Sequence, residues 1–345
     1  MREQLPVWAR PFDDRWGFTW RVLGWLRRLS ARRTAGFARA LARPHSHERP
    51  VFIVGVARSA TTTLFRILRE SPELGALPGE GHDLWRAFHH PRYGGWQSDR
   101  VDAGAVRRFE RPFVHAYLSS YFDQPRFVEK TPENAFRVPY LVELFPDAHF
   151  VAVWRNPCDV INSLIKGWRH PRGDFRSYFV PENLAIPDYT PQRQWCFALI
   201  EGWRELKSSP IPEIAFAQWR AAAEALVSAR EQLDPGRWTD IYLEDWLAAP
   251  QQELARLLAR VEVQGHPALD KALEHWIAQP ANALPAVASP HGGPAAGERW
   301  QSENQLEIRP LLPRIAATTS SLALGYRVDA ETGEVRRQPA AAAAP

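Results

Sequence analysis

The sequence predicts an α/β fold: a P-loop-like, three-layer arrangement with a central, mainly parallel sheet flanked by helices. Three observations carry this reading. Val51-Phe-Ile-Val-Gly-Val-Ala-Arg-Ser-Ala-Thr-Thr-Thr-Leu-Phe-Arg-Ile-Leu68 runs from an apolar, β-branched segment through a short turn into a helical pattern. His149-Phe-Val-Ala-Val-Trp154 is apolar on both faces, as a strand buried in a parallel sheet must be. Between and after these stretches, strand-like and helix-like segments alternate.

Taken in order, residues 1–49 form a basic N-terminal extension. Trp16 to Leu29 carries large apolar residues at helical spacing, and Arg32, Arg33, Arg39 and Arg43 continue the charge. An amphipathic helix over 16–43 suits peripheral contact with an anionic membrane, or packing on the domain or a partner chain. Pro44 to Pro50 reads as a linker, and the main domain is expected over 50–325. After the first strand and helix, residues 71–84 read as a short second strand ending in an exposed loop. A helix is expected near 103–122, a third strand over Arg126 to Pro132, and a helix from Asn134 to Phe145. The fourth strand, 149–154, leads into Asn156 and Pro157, a helix cap and a first-turn proline for a helix over 158–168. Residues 169–190 read as loop, and helical patterns follow near 191–207 and 213–232. Trp238 to Leu243 is a fifth strand, followed by a helix near 250–262, a long Pro/Ala/Gly loop over 279–300 and a helix near 303–320. Residues 326–345 are expected to be a flexible tail, low in complexity from Arg336 onward.

Composition narrows the class. The 345 residues can bury one large α/β core or two smaller ones. A net charge of +4 suits an anionic ligand without requiring nucleic acid. Only Cys158 and Cys196 are present, which argues against a disulfide framework and for a reducing, cytoplasmic setting. No run reaches the roughly 20 apolar residues of a membrane span, and Arg21, Arg27 and Arg28 break the N-terminus as a signal peptide.

A strand, a tight loop and a helix N-terminus in that order form an anion cradle, with loop N–H groups and the helix dipole converging on one point. The phosphate-loop pattern G-x-x-x-x-G-K-[ST] falls on Gly55 to Thr62, but Ala60 replaces the second glycine and Thr61 the lysine. The loop's cation is instead Arg58, so the equipment for a magnesium–nucleoside triphosphate is incomplete. A second signal is Val153-Trp-Arg-Asn-Pro-Cys-Asp-Val-Ile-Asn-Ser163. Arg155 ends a strand and Ser163 lies eight residues on, about two turns into the helix. A guanidinium and a hydroxyl there suit a phosphate monoester. In a parallel sheet Arg58, Glu80, Lys130 and Arg155 each follow a strand and share one edge.

Two anion sites without triphosphate machinery point to a nucleotide phosphorylated at both ends of its ribose. Here the chain resembles the PAPS-dependent sulfotransferase superfamily, in particular its bacterial and tyrosylprotein-sulfotransferase-like branch. The family's 5′-phosphosulfate loop, P-R-S-G-T-T-L-L, appears as Ala57-Arg-Ser-Ala-Thr-Thr-Thr-Leu64. Its 3′-phosphate motif, R-D-P-R-D-V-x-x-S, appears as Arg155-Asn-Pro-Cys-Asp-Val-Ile-Asn-Ser163. Glu129-Lys-Thr-Pro132, Leu144-Phe-Pro-Asp-Ala-His-Phe150 and Tyr242-Leu-Glu-Asp-Trp246 match three further elements. The departures are Ala57 for Pro, Ala60 for a Gly that allows close backbone approach, and Asn156 and Cys158 for charged residues.

The resemblance implies sulfuryl transfer from PAPS to a hydroxyl or amine acceptor, by in-line displacement with a carboxylate base and without a metal. It implies that Arg58, Ser59, Ala60, Thr61, Thr62 and Thr63 hold the 5′-phosphosulfate, and Arg155 and Ser163 the 3′-phosphate. Glu80 stands where that branch has its catalytic Glu; His82, whose ordinary pKa of about 6.5 suits a base, and Asp83 compete with it. Lys130 matches a family Lys that stabilises charge on the leaving phosphate, and Arg58 shares that task. Tyr242 is expected against the nucleotide or in the core, and Arg299 with Trp300 near a closing loop. Trp85, Trp96, Trp168 and Trp195 are candidates for an apolar acceptor pocket, with plain core as the alternative. The expected acceptor is a small molecule, glycan or lipid, and a homodimer is left open. His89-His90 has no partner set for a metal. Cys158 lies at a helix N-terminus, which would lower its pKa. The alternatives are a P-loop kinase or NTPase, and a degenerate, non-catalytic nucleotide-binding member of the family.

Overall fold

The computed structural model describes residues 31–42, 46–278 and 299–338. Five strands form one parallel sheet: β1 (Val51–Gly55), β2 (Leu74–Ala76), β3 (Arg126–Glu129), β4 (His149–Trp154) and β7 (Trp238–Tyr242). Their order is β2-β3-β1-β4-β7. Every pairing is parallel, with Val51 opposite both Val128 and His149, and Trp154 opposite Tyr242. Two antiparallel pairs stand apart: β5 (Arg176–Phe179) with β6 (Gln194–Cys196), and β8 (Tyr326–Val328) with β9 (Val335–Arg337).

The period of two along the strands explains the layers. Val51, Ile53, Val151 and Val153 face one side and bury against α2 (Thr61–Leu68), α9 (Pro250–Val261) and α10 (Pro267–Ala278). Phe52, Val54, Phe150, Ala152 and Trp154 face the other side, with α4 (Glu110–Ser119), α5 (Val138–Leu144), α6 (Pro157–Trp168) and the 22-residue α7 (Ile211–Gln232). The expected three-layer α/β sandwich is what the chain forms. The remaining helices are α1 (Ala31–Ala42), α3 (His82–His89), α8 (Leu243–Ala248), α11 (Arg299–Glu303), α12 (Gln305–Ile308) and α13 (Leu312–Ser321).

Several local expectations are corrected. Residues 169–190 are not all loop, and 191–207 are not one helix: β5 and β6 pair around buried Tyr178 and Trp195, and Trp203–Leu206 form a 3₁₀ turn. The expected helix over 134–145 splits because Pro139 sits in the first turn of α5, where a ring without an N–H is tolerated only at a helix start. Pro310 and Pro313 likewise divide 305–321 into α12, a 3₁₀ turn and α13. Residues 326–338, expected to open a flexible tail, instead form the β8–β9 hairpin. Residues 1–30 and 279–298 lie outside the described residues, so most of the expected basic helix is not seen. Its last part, α1, packs on the domain: Phe37 is 3% exposed and meets Phe113 edge-on with centroids 5.3 Å apart. Among the described residues, no helix is long and apolar enough to cross a membrane.

Candidate active site

The strand order sets the site's position. From β1 the chain moves to β2 and β3 on one side, and later to β4 and β7 on the other. The loops leaving β1 and β4 therefore meet at a topological switch point, where α/β sheets hold their ligands. Gly55 makes the first loop possible. A Cβ there would lie 2.8 Å from Thr61 Cγ2 and 2.8 Å from the Val153 carbonyl oxygen, so a side chain would push the loop off the sheet.

Two residues of this loop adopt left-handed backbone, Arg58 (φ 79°) and Ala60 (φ 72°). Ala60 immediately precedes α2 and gives it no side-chain cap. The first N–H groups of α2 therefore face the loop with no capping group of their own. The preference for Gly at position 60 gains a reason beyond close approach: an L side chain with a Cβ is strained in the left-handed region. Ala60→Gly is expected to raise stability by about 0.5–1 kcal/mol, the strain relieved being partly offset by unfolded-chain entropy. A denaturant melt that shows Ala60→Gly less stable than the parent would refute this.

Three of the predicted anion-binding residues come together. Arg58 Nε donates to Ser163 Oγ at 3.0 Å, across 105 positions of sequence. Arg155 Nη1 donates to the Arg58 carbonyl at 3.2 Å, and its Nη2 lies 3.3 Å from Asp159 Oδ2. Among the described residues no carboxylate pairs with Arg58. Phe175, from the loop before β5, covers its guanidinium at 4.6 Å. Burial, then the neighbouring Arg155 charge, pulls the Arg58 pKa down to about 10. Lys130 Nζ, from the end of β3, donates to Thr62 Oγ1 at 2.8 Å. The cation missing at position 61 thus returns to the loop from a neighbouring strand. Ser59 is buried, its N–H bonded to the Val56 carbonyl at 3.1 Å, while Thr62 stays exposed.

Lys130 also pairs with Glu80, whose side chain keeps 35% of its surface exposed. His82 Nε2 lies 2.7 Å from Glu80 Oε2, and its Nδ1 3.1 Å from Glu133 Oε2. Burial opposes charge on His82, but Glu133 and Glu80 prevail and push its pKa up to about 9. Burial likewise opposes charge on Glu80, yet His82 and Lys130 hold its pKa below the ordinary value. Behind this loop, buried Glu129 accepts from the Gly81 N–H at 3.3 Å and from Asn134 Nδ2 at 2.8 Å. Thr131 Oγ1 takes the same Gly81 N–H at 2.8 Å. Gly81 must be glycine, since a Cβ would sit 2.7 Å from Trp85 Nε1.

The remaining candidates differ in where they fall. Tyr242 ends β7, but its ring is covered by the C-terminal hairpin: Arg337 lies 3.3 Å from its centroid and Tyr326 meets it edge-on. Glu244, two residues on, reaches the site instead. It accepts the Asn156 N–H at 2.8 Å and the Tyr326 hydroxyl at 2.5 Å, while Asn156 caps α6 through the Cys158 and Asp159 N–H groups. Arg299 opens α11, and the next N–H, of Trp300, donates to Asp159 Oδ1 at 3.2 Å. This puts Arg299 beside the Arg155–Asp159 pair. Thr61 and Thr63 lie in the first turn of α2. Asp83 is exposed. Trp85, Trp168 and Trp195 are core residues, not pocket walls, and Trp96 is half-buried against His90 and Tyr178. Burial raises the Cys158 pKa instead of lowering it. His89 bonds Glu110 at 2.8 Å. The residues not foreseen are Phe175, Glu133 and Asp159. Of these only Asp159 carried a local signal, its i,i+4 spacing from Arg155.

Residues 50–214 match the model of the Sulfotransferase family. A solved structure of sulfotransferase STF9 from Mycobacterium avium shares the fold, with a TM-score of 0.50 over 72% of this chain and 74% of that one, at 16% identity. Nodulation protein NoeE of Sinorhizobium fredii is 28% identical over 133 residues, 35% of this chain and 32% of that protein. A Caenorhabditis briggsae protein named "Putative protein-tyrosine sulfotransferase" is 29% identical over 154 residues, 40% of this chain and 52% of that protein. The chain thus spans about a third to a half of the length of the curated relatives it matches. The family match runs from β1 into α7, just under half of the chain, and takes in both loops at the switch point.

Proposed function

We propose that this protein transfers a sulfuryl group from PAPS to a hydroxyl or amine acceptor. The observation that carries the reading is Arg58, a desolvated guanidinium with no carboxylate partner among the described residues, aimed at Ser163 beside Arg155. An anionic ligand would stabilise this guanidinium together with the neighbouring Arg155, which is itself paired with Asp159. In this reading the loop Arg58, Ser59, Ala60, Thr61, Thr62 and Thr63 wraps the 5′-phosphosulfate, and Arg155 and Ser163 take the 3′-phosphate. Arg299 closes over the nucleotide, and Tyr242 has at most an edge role.

PAPS supplies an activated sulfuryl group on a phosphate leaving group. Glu80, held ionised and partly exposed, takes the proton of the acceptor hydroxyl. As the acceptor oxygen bonds sulfur, the bond from sulfur to the phosphate oxygen breaks, and Lys130 and Arg58 neutralise the charge left there. His82, cationic at neutral pH, is in the wrong protonation state for a base. The acceptor we propose is a small molecule, glycan or lipid. The basic N-terminal extension supports contact with an anionic membrane surface, and the low cysteine count supports a cytoplasmic setting.

Calorimetry with adenosine 3′,5′-bisphosphate tests the donor half. Binding is expected, weakened roughly 10–100-fold in Arg155→Ala, the range for one charge-assisted hydrogen-bonding side chain. No binding, or binding that ignores this substitution, overturns the reading.

A further inference from the structure

We infer that His82 and Glu133 form a positioning pair for Glu80, in which the His82 ring bridges the Glu80 carboxylate to the buried Glu133 carboxylate. The inference rests on the reading of Glu80 as the base and deepens it. Both ring nitrogens face acceptor-only groups, Nε2 at 2.7 Å from Glu80 and Nδ1 at 3.1 Å from Glu133. The second contact is an ion pair without hydrogen-bond geometry. A neutral imidazole would turn a lone pair towards one of these carboxylates, so the arrangement calls for the imidazolium.

Glu133 is suited to anchor it. Its side chain is 2% exposed and lies in the 3₁₀ turn that follows β3, so it cannot follow Glu80 into solvent. Arg86, one turn along α3, bonds its other oxygen at 2.5 Å. Behind it, Arg137 pairs with fully buried Asp99, and Tyr178 donates to the same Asp99. Arg86 also stacks 4.4 Å from the Tyr178 ring, which ties this end of the network to β5. The groups facing His82 are therefore Glu80 on its own loop, Arg86 on α3 and Glu133 after β3, with Lys130 beyond Glu80. Their effect on Glu80 is specific. One oxygen is committed to His82 and the other to Lys130, which selects one rotamer and keeps the carboxylate ionised.

The test is an NMR titration of ¹⁵N-histidine-labelled protein, with His82 assigned by its loss in His82→Gln. The midpoint is expected near pH 9 in the parent. In Glu133→Gln it should fall by at least ~1 pH unit, and Glu133→Asp, which keeps the charge, should recover part of that drop. A midpoint near the ordinary 6.5, or one unmoved by Glu133→Gln, overturns the pair. With an accepting substrate, kcat should decline as pH rises through the His82 midpoint. That limb should move down in Glu133→Gln while Kd for adenosine 3′,5′-bisphosphate stays within about twofold, which also shows that the variant folds. A kcat that instead rises with pH through the midpoint makes His82 the base and overturns the proposal. If no acceptor is sulfated but the titration behaves as stated, the pair stands and only the functional reading fails.

Discussion

Arg58→Ala is expected to lower kcat/KM for sulfuryl transfer by roughly 10²–10³-fold, while leaving the melting temperature unchanged or higher. The two signs come from one geometry. Arg58 is desolvated, has a second arginine against it, and among the described residues its guanidinium meets a hydroxyl and an aromatic face. In the free protein that charge is a cost; with a phosphosulfate in the loop it becomes a contact that strengthens as charge develops on the leaving oxygen. A guanidinium kept for the fold would behave in the opposite way. Steady-state kinetics with a thermal melt decides the matter: full activity together with a fallen melting temperature would assign Arg58 to structure alone.

Glu80→Gln is the second large effect. Loss of a general base is worth about 10²–10⁴ in kcat, and the amide keeps the size of the side chain. Binding of adenosine 3′,5′-bisphosphate should stay within about twofold, because among the described residues Glu80 reaches the proposed donor loop through Lys130 alone. The pH profile supplies a second readout. The working form is the carboxylate, so parent activity falls as pH drops through the Glu80 pKa, which His82 and Lys130 hold below 4.5 against the opposing effect of burial. Glu80→Gln should lose that acid limb and retain a low, flat rate there. A parent profile whose acid limb lies near 6.5 would point to a neutral imidazole and against Glu80.

What was readable from the amino-acid order is what local chemistry dictates. The run from Val51 shows its strand because every residue of it is buried, and its loop because Gly55 is followed by small and polar residues. Asn156 and Pro157 announce α6 by capping and by ring geometry. Arg58, Ser163 and Arg155 were bound to meet once the sheet was parallel, although 105 positions separate the bonded pair. Other features depend on partners that no local pattern contains. β5 and β6 are three or four residues long, and their pairing exists only where Tyr178 and Trp195 find the core. The sequence leaves Tyr242 between nucleotide contact and core, and Arg337 reaches its ring from a strand 95 positions on. Glu133 reads as an ordinary acidic residue after a proline, and its meaning comes from His82 arriving from another strand's loop. Cys158 shows two local rules in conflict, since desolvation outweighs the helix N-terminus.

The hairpin of β8 and β9 has a consequence for the order of synthesis. Tyr326 bonds the Glu244 carboxylate that holds the Asn156 N–H, and Gly333 packs so tightly on Trp300 that a Cβ would approach its ring to 2.4 Å. The proposed second anion site is therefore framed by residues made about 170 positions after Arg155. At bacterial-to-eukaryotic elongation rates that interval is roughly 10–30 s. During it the residues of β1 to β4 have been made, while the Tyr326 that holds Glu244 against Asn156 has not. In the proposed reading, the loop after β1 is therefore made well before the Arg155 end of the site gains its outer support.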